Sequence, residues 1–457
     1  TLQGNTEAAA AAKAEMKALM RGAVHSYLEY AIDYASAGMY EEAAQLLSFV
    51  TEENEATYPM VYYALGYFAS KMGKKDEALN LYKKAETMCP NYCFPNKLEE
   101  VLMLNDAMLL NPEGAKAPYY LGNFHYAARI YDEAIACWEK SASIDDTYPT
   151  VLRNLSLAYY NKQHNPQKAL ATLEKAYNLD TTDARILMEL DQLYKKLRYP
   201  HRQRLDFLEA HADVVEQRDD LCIERITLYN QLGEYQKAYD LINSRKFHPW
   251  EGGEGKVTSQ YLLCRVELAK IAIREGRFAD AVRLLKETEK YPDNLGEGKL
   301  SMAEENDIHY WMGCAYEGLG EEALAKEYFT KATKGSAEPA IAFFYNDQQP
   351  DKIFYQGLAW RKLGEEDKAR SRFNRLIKHG EKHLFDKVKI DYFAVSLPDL
   401  LIWDDDLNVR NQIHCNLVMG MGYLGLGDKE QARKFLSEVA RLDINHQAGK
   451  QLLEMCD

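Results

Sequence analysis

The sequence predicts an all-α fold, a solenoid of about ten stacked helix pairs, and three observations support this prediction. First, a phrase recurs along the chain: a Gly, usually after Leu or Met, an aromatic residue three positions later in several copies, and an Ala twelve positions after the Gly. Second, apolar residues within each copy follow the three- and four-residue spacing of an amphipathic helix. Third, most copies carry a second Gly near the middle, where we expect one helix to end. A period of about 34 residues is typical of helix pairs that bury their apolar faces only by stacking.

The residues of each copy indicate how its two helices pack against each other. Small residues at the Gly and Ala positions let two backbones approach closely, and the aromatic residues fill the volume around that contact. The clearest copies carry the pairs Gly66–Ala78, Gly122–Ala134, Gly313–Ala325, Gly357–Ala369 and Gly420–Ala432. The glycines that we expect to end the first helix with a positive φ are Gly38, Gly73, Gly233, Gly276, Gly320, Gly364 and Gly427.

The copies divide the chain into an N-terminal helix, residues 1–22, and two blocks of repeats, residues 23–243 and 244–457. The unit at 186–211 is degenerate. Two insertions lengthen the spacing, one at 91–117, where the residues from Leu98 onward predict an extra helix, and one at 378–411. The second block has longer loops. The ten units are anchored at Ala43, Ala78, Ala134, Ala169, Leu205, Ala238, Ala281, Ala325, Ala369 and Ala432.

Composition and charge narrow the range of functions that the chain could have. The net charge of −14 disfavours nucleic-acid binding, which needs a basic surface. No apolar run is long enough to span a membrane. The chain begins without Met or a leader-like apolar segment, so we interpret it as a piece of a longer protein. The cysteines are scattered, and Cys89 and Cys93 lack the spacing of a redox or zinc motif. We therefore expect free thiols, no structural metal and no cofactor, and we favour a cytoplasmic location.

Two glycine-rich loops are the strongest local motifs, Trp250-Glu-Gly-Gly-Glu-Gly-Lys256 and Leu295-Gly-Glu-Gly-Lys299. A phosphate-binding loop requires Gly, four residues, Gly-Lys and then Ser or Thr, and neither loop fits. Both occupy the same phase of adjacent units, so we expect them to lie side by side on one edge of the solenoid. They are interpreted either as repeated helix-end caps or as a shared edge site. The candidate edge-site residues are His248, Trp250, Glu251, Glu254, Lys256 and Lys299.

Two further motifs favour surface structure rather than chemistry. The run Trp403-Asp-Asp-Asp-Leu-Asn408 lacks the Gly and Glu of a calcium loop, so an acidic turn or helix start is expected. His379 and His383 could share a helical face, but Gly380 favours a helix end and a surface turn there. No spacing indicates a catalytic triad, and we predict no catalytic residues.

The repeat spacing resembles the tetratricopeptide repeat (TPR) family. The resemblance implies a right-handed superhelix in which the first helix of each pair lines a concave groove. In that family, residues three before, one after and four after the Gly position point into the groove. Chaperone-binding members place Lys and Asn there to clamp a peptide carboxylate, and only Asn123 matches. The residues that these positions assign to a groove here are Tyr63, Tyr67, Tyr119, Asn123, Tyr126, Arg153 and Tyr160.

A narrower resemblance rests on four phrases, at residues 92–100, 245–256, 291–299 and 389–399. They are similar to the C-terminal TPR region of a family of bacterial proteins of unknown function, and the match covers about residues 58–457. In that family a β-sandwich similar to mutarotase and galactosidase domains precedes the repeats. The resemblance implies such an N-terminal domain outside this chain, and it implies no particular reaction.

Two functions follow as hypotheses. The first is a non-catalytic interaction scaffold, whose tyrosine-rich groove receives a peptide, a protein or the implied N-terminal domain. The second is an accessory module of a carbohydrate-binding or carbohydrate-processing protein, in which the loops at 248–256 and 295–299 complete a sugar site. We favour the first, because repeats of this type usually bind and seldom catalyse.

Overall fold

The structure is a computed structural model that describes residues 5–53, 58–250, 252–301, 303–340, 349–389 and 402–456. The predicted all-α fold is confirmed, because these residues form α-helices joined by turns and contain no β-strand. The chain divides into two compact units, unit 1 at Thr1–Thr181 and unit 2 at Thr182–Asp457. The boundary between repeat blocks at residues 243 and 244 is placed by loop lengths, and it stays a prediction.

Unit 1 is a series of antiparallel helix pairs with one inserted helix. Its helices are α1 Thr6–Met20, α2 Val24–Ser36, α3 Tyr40–Glu53, α4 Pro59–Lys71, α5 Lys75–Thr87, α6 Leu98–Leu110, α7 Lys116–Ala127, α8 Tyr131–Ile144, α9 Pro149–Asn161 and α10 Pro166–Leu179.

Unit 2 continues the same pattern with helices of more varied length, and a 3₁₀ turn spans Asp293–Leu295. Its helices are α11 Ala184–Lys196, α12 His201–Ala210, α13 Ala212–Val215, α14 Asp219–Gln231, α15 Tyr235–Asn243, α16 Lys256–Arg274, α17 Phe278–Lys286, α18 Asn306–Gly318, α19 Glu322–Ala332, α20 Pro350–Lys362, α21 Glu366–His383, α22 Leu407–Leu426, α23 Lys429–Leu442 and α24 Gln447–Glu454.

The repeat glycines allow the two helices of each pair to approach closely. A Cβ atom built on Gly66 would lie 2.4 Å from Cε1 of Tyr82, and one on Gly313 would lie 2.6 Å from Cδ1 of Phe329. Only Gly leaves room for these rings. The mid-unit glycines adopt φ between 73° and 84°, which allows the chain to turn from the first helix into the second.

The extra helix predicted from Leu98 onward is confirmed as α6, which packs against α4 and α7. Tyr82 donates its hydroxyl to Oδ2 of Asp106 on α6 at 2.6 Å, so the insertion is bonded to the neighbouring pair. The degenerate unit at 186–211 is also helical, as α11 and α12. The insertion predicted at 378–411 falls partly on residues 390–401, which lie outside the described residues.

The predicted helix end at Gly380 is wrong, because α21 continues to His383. Gly380 is buried where α22 crosses α21, and a Cβ there would lie 2.7 Å from the carbonyl oxygen of Cys415. This glycine permits close packing rather than a turn. The acidic run before α22 does start a helix, because Asp406 accepts hydrogen bonds from the backbone N–H groups of Asn408 and Val409.

Unit 2 has a feature that the repeat pattern did not predict, since its C-terminal segment contacts its first helices. The buried indole of Trp403 donates to the carbonyl oxygen of Glu189 at 3.0 Å, and Asp405 pairs with Lys196 at 3.0 Å. Farther along, Lys450 on α24 donates to the carbonyl oxygen of Gln231 on α14 at 2.7 Å. The last helix therefore lies against α14.

Candidate functional site

Two of the seven predicted groove residues do not face a groove. Tyr63 is 0 % exposed and donates its hydroxyl to Glu86 at 2.8 Å. Tyr119 is 5 % exposed and packs edge-on against Tyr148, with 5.1 Å between ring centroids. The prediction is wrong for both, because these rings fill the space between neighbouring helices. Sequence spacing alone could not distinguish that position from the groove.

The other five, Tyr67, Asn123, Tyr126, Arg153 and Tyr160, are half-buried. Asn123 on α7 accepts two hydrogen bonds at Oδ1, one from the indole of Trp138 at 3.1 Å and one from Nδ2 of Asn154 at 3.3 Å. Asn154 on α9 in turn accepts from Arg153 at 3.2 Å. We call Asn123, Asn154 and Arg153 the amide row. It joins the first helices of two successive pairs, and Asn154 was missed because it lies one residue beyond a groove position.

The aromatic residues beside the amide row are fixed by their neighbours. The ring of Tyr126 lies 5.2 Å from the indole of Trp138 and 5.1 Å from the ring of Tyr131, measured between centroids. On α4, Lys71 holds its ammonium 4.9 Å above the ring of Tyr67. These rings therefore have contacts within the chain itself.

The two glycine-rich loops of unit 2 do lie side by side, as predicted. The backbone N–H of Gly255 donates to both carboxylate oxygens of Glu297, at 3.1 and 3.0 Å. The N–H of Phe247 donates to the carbonyl oxygen of Asn294 at 2.7 Å. Burial raises the pKa of Glu297. Because it accepts both bonds from Gly255, the Glu297 side chain connects the two loops.

Most of the predicted edge-site residues have structural partners. Lys299 pairs with Glu305 at 2.6 Å and donates to the carbonyl oxygen of Glu289. Trp250 covers Gly253, where a Cβ would lie 2.0 Å from the indole Cε2. His248 is exposed and has Nδ1 3.2 Å from Oδ2 of Asp219. Glu254 and Lys256 are exposed as well, and Glu251 lies outside the described residues.

A cavity of about 430 Å³ lies in unit 2 between α14, α16, α18 and α24. Its wall contains both polar and apolar side chains, and the polar ones include Asn230 and Gln231 on α14, Glu267 and Lys270 on α16, and Gln447 on α24. The sequence pattern does not predict this cavity. Ile226 and Ala269 occupy the positions equivalent to the repeat glycines. Asn230 lies four residues after the first and Lys270 one residue after the second, so both are at predicted groove positions. Nothing in the sequence shows that α24 forms a wall of the cavity.

Three histidines also meet in unit 2, because α21 continues through Gly380. The ring of His379 lies 4.6 Å from that of His383 and 5.9 Å from that of His414. Burial and these two neighbours lower the pKa of His379 to about 4. Within the described ranges, no group of three His, Cys, Asp or Glu side chains is arranged to hold a metal ion. No described helix has the length and apolar character needed to cross a membrane.

Comparison with known protein families identifies the repeats. One family model described as tetratricopeptide repeat matches residues 61–92 and 307–334, and a second with the same description matches residues 353–379. The chain therefore contains tetratricopeptide repeats in both units. These matches coincide with α4–α5, α18–α19 and α20–α21, the pairs with clear Gly–Ala spacing.

Several solved protein structures are similar to this chain. YrrB, described as a TPR protein with an unusual peptide-binding site, is 17% identical, and the alignment covers 48% of this chain and 96% of YrrB with a TM-score of 0.29. PilF of Pseudomonas aeruginosa is 19% identical over 49% of this chain and 90% of its own, with a TM-score of 0.29. The TPR domain of P58(IPK) is 14% identical over 95% of this chain and 97% of its own, with a TM-score of 0.23.

Proposed function

We propose that this chain, which contains tetratricopeptide repeats, is a non-catalytic interaction scaffold that binds an extended peptide segment of a partner protein on the α7–α9 face of unit 1. The observation that supports this proposal most directly is the amide row, which joins Asn123, Asn154 and Arg153 across two successive first helices. The segment belongs either to another protein or to the β-sandwich domain that the narrower resemblance implies.

The amide row has the chemistry to bind a peptide main chain. An Asn side chain offers both a donor and an acceptor, as the peptide group does. Asn123 uses Oδ1 for the indole of Trp138 and for Asn154, and its Nδ2 has no acceptor among the described residues. Arg153 adds a guanidinium, which suits a carboxylate on the partner. The row is thus suited to hold an extended segment that carries an acidic group.

The neighbouring tyrosines would supply contact area. Tyr126 and Tyr160 are half-buried on the same two helices, and Tyr67 is half-buried on α4. Tyrosine contributes a large, rigid surface with little loss of side-chain entropy, which is why it is common at recognition surfaces. A half-buried ring already held by a neighbour, as Tyr126 is by Trp138, loses still less freedom on binding.

The proposal is tested with an array of short peptides that tile the proteins of the source organism, probed with the whole chain. The affinity of the tightest peptide is then measured in solution for the wild type, Arg153→Ala and Tyr160→Ala. Each substitution is expected to weaken binding about tenfold, a loss of about 1.4 kcal/mol. The control is Lys140→Ala, an exposed residue on α8, which lies on the second helix of its pair.

Unchanged affinity in both Arg153→Ala and Tyr160→Ala, or no peptide bound above background, would show that this face is not the binding surface. The source of the segment is decided by repeating the measurement on a protein that includes the N-terminal domain. Loss of peptide binding there indicates that the domain occupies the face itself.

The carbohydrate hypothesis has weaker support from the geometry. Of its described residues, Lys299 is in an ion pair and Trp250 covers Gly253. The exposed groups that could face a sugar are His248, Glu254 and Lys256. A rise in melting temperature with mono- or oligosaccharides that is lost in Trp250→Ala would favour the accessory function over the scaffold.

A further inference from the structure

The cavity lies within unit 2, and the C-terminal helix α24 forms one of its walls. Gln231 on α14 donates its side-chain Nε2 to the carbonyl oxygen of Asn445 at 2.6 Å, and Lys450 on α24 donates to the carbonyl oxygen of Gln231 at 2.7 Å. These bonds hold α24 over α14, α16 and α18. The cavity volume of about 430 Å³ is in the range that takes a small organic ligand.

The orientations of two amides in the cavity wall are set by backbone carbonyl groups. Nδ2 of Asn230 lies 3.3 Å from the carbonyl oxygen of Gln260 and 2.9 Å from its Oε1. A carbonyl oxygen can only accept, so the NH₂ group of Asn230 must face Gln260. The bond from Gln231 to the carbonyl of Asn445 fixes Gln231 in the same way.

These orientations leave a defined pattern of unused hydrogen-bonding atoms. Oδ1 of Asn230 and Oε1 of Gln231 have no partner among the described residues, although the two side chains are only 2% and 5% exposed. On α24, Gln447 accepts from Gln260 at 3.4 Å, and its Nε2 is buried without a partner. Buried polar atoms are almost always paired. Nε2 of Gln451, also on α24 and in the cavity wall, is buried without a partner among the described residues as well. Two acceptors and two donors therefore indicate a ligand that supplies both hydrogen-bond donors and hydrogen-bond acceptors.

The cavity wall also carries charges of both signs. Glu267 is 7% exposed and pairs with Lys270 at 2.7 Å. Arg274 and Glu454 are exposed and lie at the rim. A neutral polyol would satisfy the amides without using these charges. A molecule with an ammonium and a carboxylate would use both.

We propose that this cavity binds a small zwitterion, either a free α-amino acid or the two ends of a very short peptide. The ammonium group lies against Oδ1 of Asn230, Oε1 of Gln231 and the carboxylate of Glu267. The carboxylate group of the ligand lies toward the guanidinium of Arg274 and Nε2 of Gln447. The indole of Trp311 on α18 provides an apolar surface for a side chain.

The test uses the whole chain and isothermal titration calorimetry, with the common amino acids and with dialanine as probes at millimolar concentration. At least one zwitterion is expected to bind saturably, and the same compound blocked as its N-acetyl amide is expected not to bind. Tighter binding of amino acids than of dialanine, or the reverse, identifies which of the two kinds of ligand the cavity binds.

Arg274→Gln is expected to weaken binding about tenfold. Its matched control is Arg283→Gln on α17, an arginine whose side chain is 63% exposed and away from the cavity, which should bind as the wild type does. Since Arg274 is exposed, its variant should keep the fold, and circular dichroism checks this. Glu267→Gln provides a second variant that removes charge at the ammonium end.

Three results would overturn the proposal: no heat with any zwitterion, equal binding by the wild type and Arg274→Gln, or equal binding of the blocked and unblocked compounds. Binding of glucose but of no amino acid would assign the cavity to polyols, and binding of inorganic phosphate alone would indicate an adventitious ion only. Both would also contradict it. None of these results bears on the α7–α9 face, which is tested by Arg153→Ala.

Discussion

Gln231 donates its side-chain amide to the carbonyl oxygen of Asn445, a residue 214 positions later in the chain, across 2.6 Å. The side-chain Oδ1 of the same Asn445 lies 3.2 Å from Nε2 of His201 and 3.4 Å from a guanidinium nitrogen of Arg204. One loop residue before α24 thus contacts both α12 and α14. In a simple solenoid each repeat contacts only its neighbours. Unit 2 departs from that rule, because its last helix is tied to its first ones.

The bond between Gln231 and Asn445 should control the local stability of α24. Gln231→Ala removes the donor and leaves the Asn445 carbonyl unpaired, so we expect the free energy of opening α24 to fall by about 1–2 kcal/mol. Hydrogen exchange measured by mass spectrometry on the peptide that covers α24 checks this. Gln236→Ala is the control, since that glutamine on α15 is exposed and donates to Asp240 on its own helix. Equal exchange in α24 for both variants would contradict the assignment.

The buried ion pair of Arg204 and Asp191 should matter more to folding than any exposed pair. Both side chains are 1% exposed, and the guanidinium reaches both carboxylate oxygens, at 3.1 and 2.7 Å. Although burial alone would lower it, the carboxylates of Asp191 and Glu224 hold the pKa of Arg204 above its usual value. Asp191→Ala leaves a buried cation without its main partner and should cost about 3–5 kcal/mol in the free energy of unfolding.

Urea unfolding of the whole chain measures that loss. The matched control is Arg202→Ala, which breaks the pair of Arg202 with Glu234, where the arginine side chain is 53% exposed. An exposed pair contributes about 0–1 kcal/mol, so this variant should unfold close to the wild type. A similar loss in the two variants would mean that burial does not set the importance of the Arg204 pair.

The helix pairs could be predicted from the sequence, because each pair depends on contacts between residues that lie close together in the chain. A Gly and an aromatic residue about sixteen positions later are brought together by two helices and a turn, so the Gly66–Tyr82 and Gly313–Phe329 contacts follow from spacing alone. The same spacing also indicated that the loops at Gly255 and Glu297 are neighbours. Each of these contacts is formed within one pair or between adjacent pairs.

The features that the sequence did not reveal depend on distant contacts. The sequence predicts a helix end at Gly380, because nothing nearby in the chain shows that α22 packs at this point. The repeat spacing predicts a groove position for Tyr63, yet its ring is enclosed by residues that include Glu86 and Tyr120. The cavity depends on α24 returning to α14, and contacts between residues more than two hundred positions apart leave no periodic signal.

The Gly–aromatic contact makes a direct prediction about packing. A Cβ on Gly313 would lie 2.6 Å from the ring of Phe329, so Gly313→Ala should force the two helices apart and cost about 1–3 kcal/mol. The control in the same unit is Gly298→Ala, where a Cβ would meet no atom within 4 Å. Thermal unfolding of both variants gives the comparison. A melting temperature for Gly313→Ala as high as that for Gly298→Ala would show that the helix pair tolerates the added methyl group.

The histidines of α21 and α22 predict how stability changes with pH. Burial, followed by the neighbouring His383 and His414, lowers the pKa of His379 from 6.5 to about 4. Lys382 and Asp386 are the other charged groups close to it. Between these two values the unfolded chain binds a proton at His379 that the folded protein does not. The contribution of His379 to stability is therefore complete above about pH 6.5 and is lost as the pH falls toward 4.

Replacing the imidazole with an uncharged side chain should remove that part of the pH dependence. Between about pH 7.5 and about pH 5 the wild type should lose more stability than His379→Gln, by on the order of 1 kcal/mol once partial exposure of the ring is taken into account. Urea unfolding at the two pH values measures the difference. Lys378→Gln, an exposed change on the same helix, should keep the wild-type loss. If His379→Gln loses as much stability as the wild type over this range, protonation of His379 does not limit folding in acid.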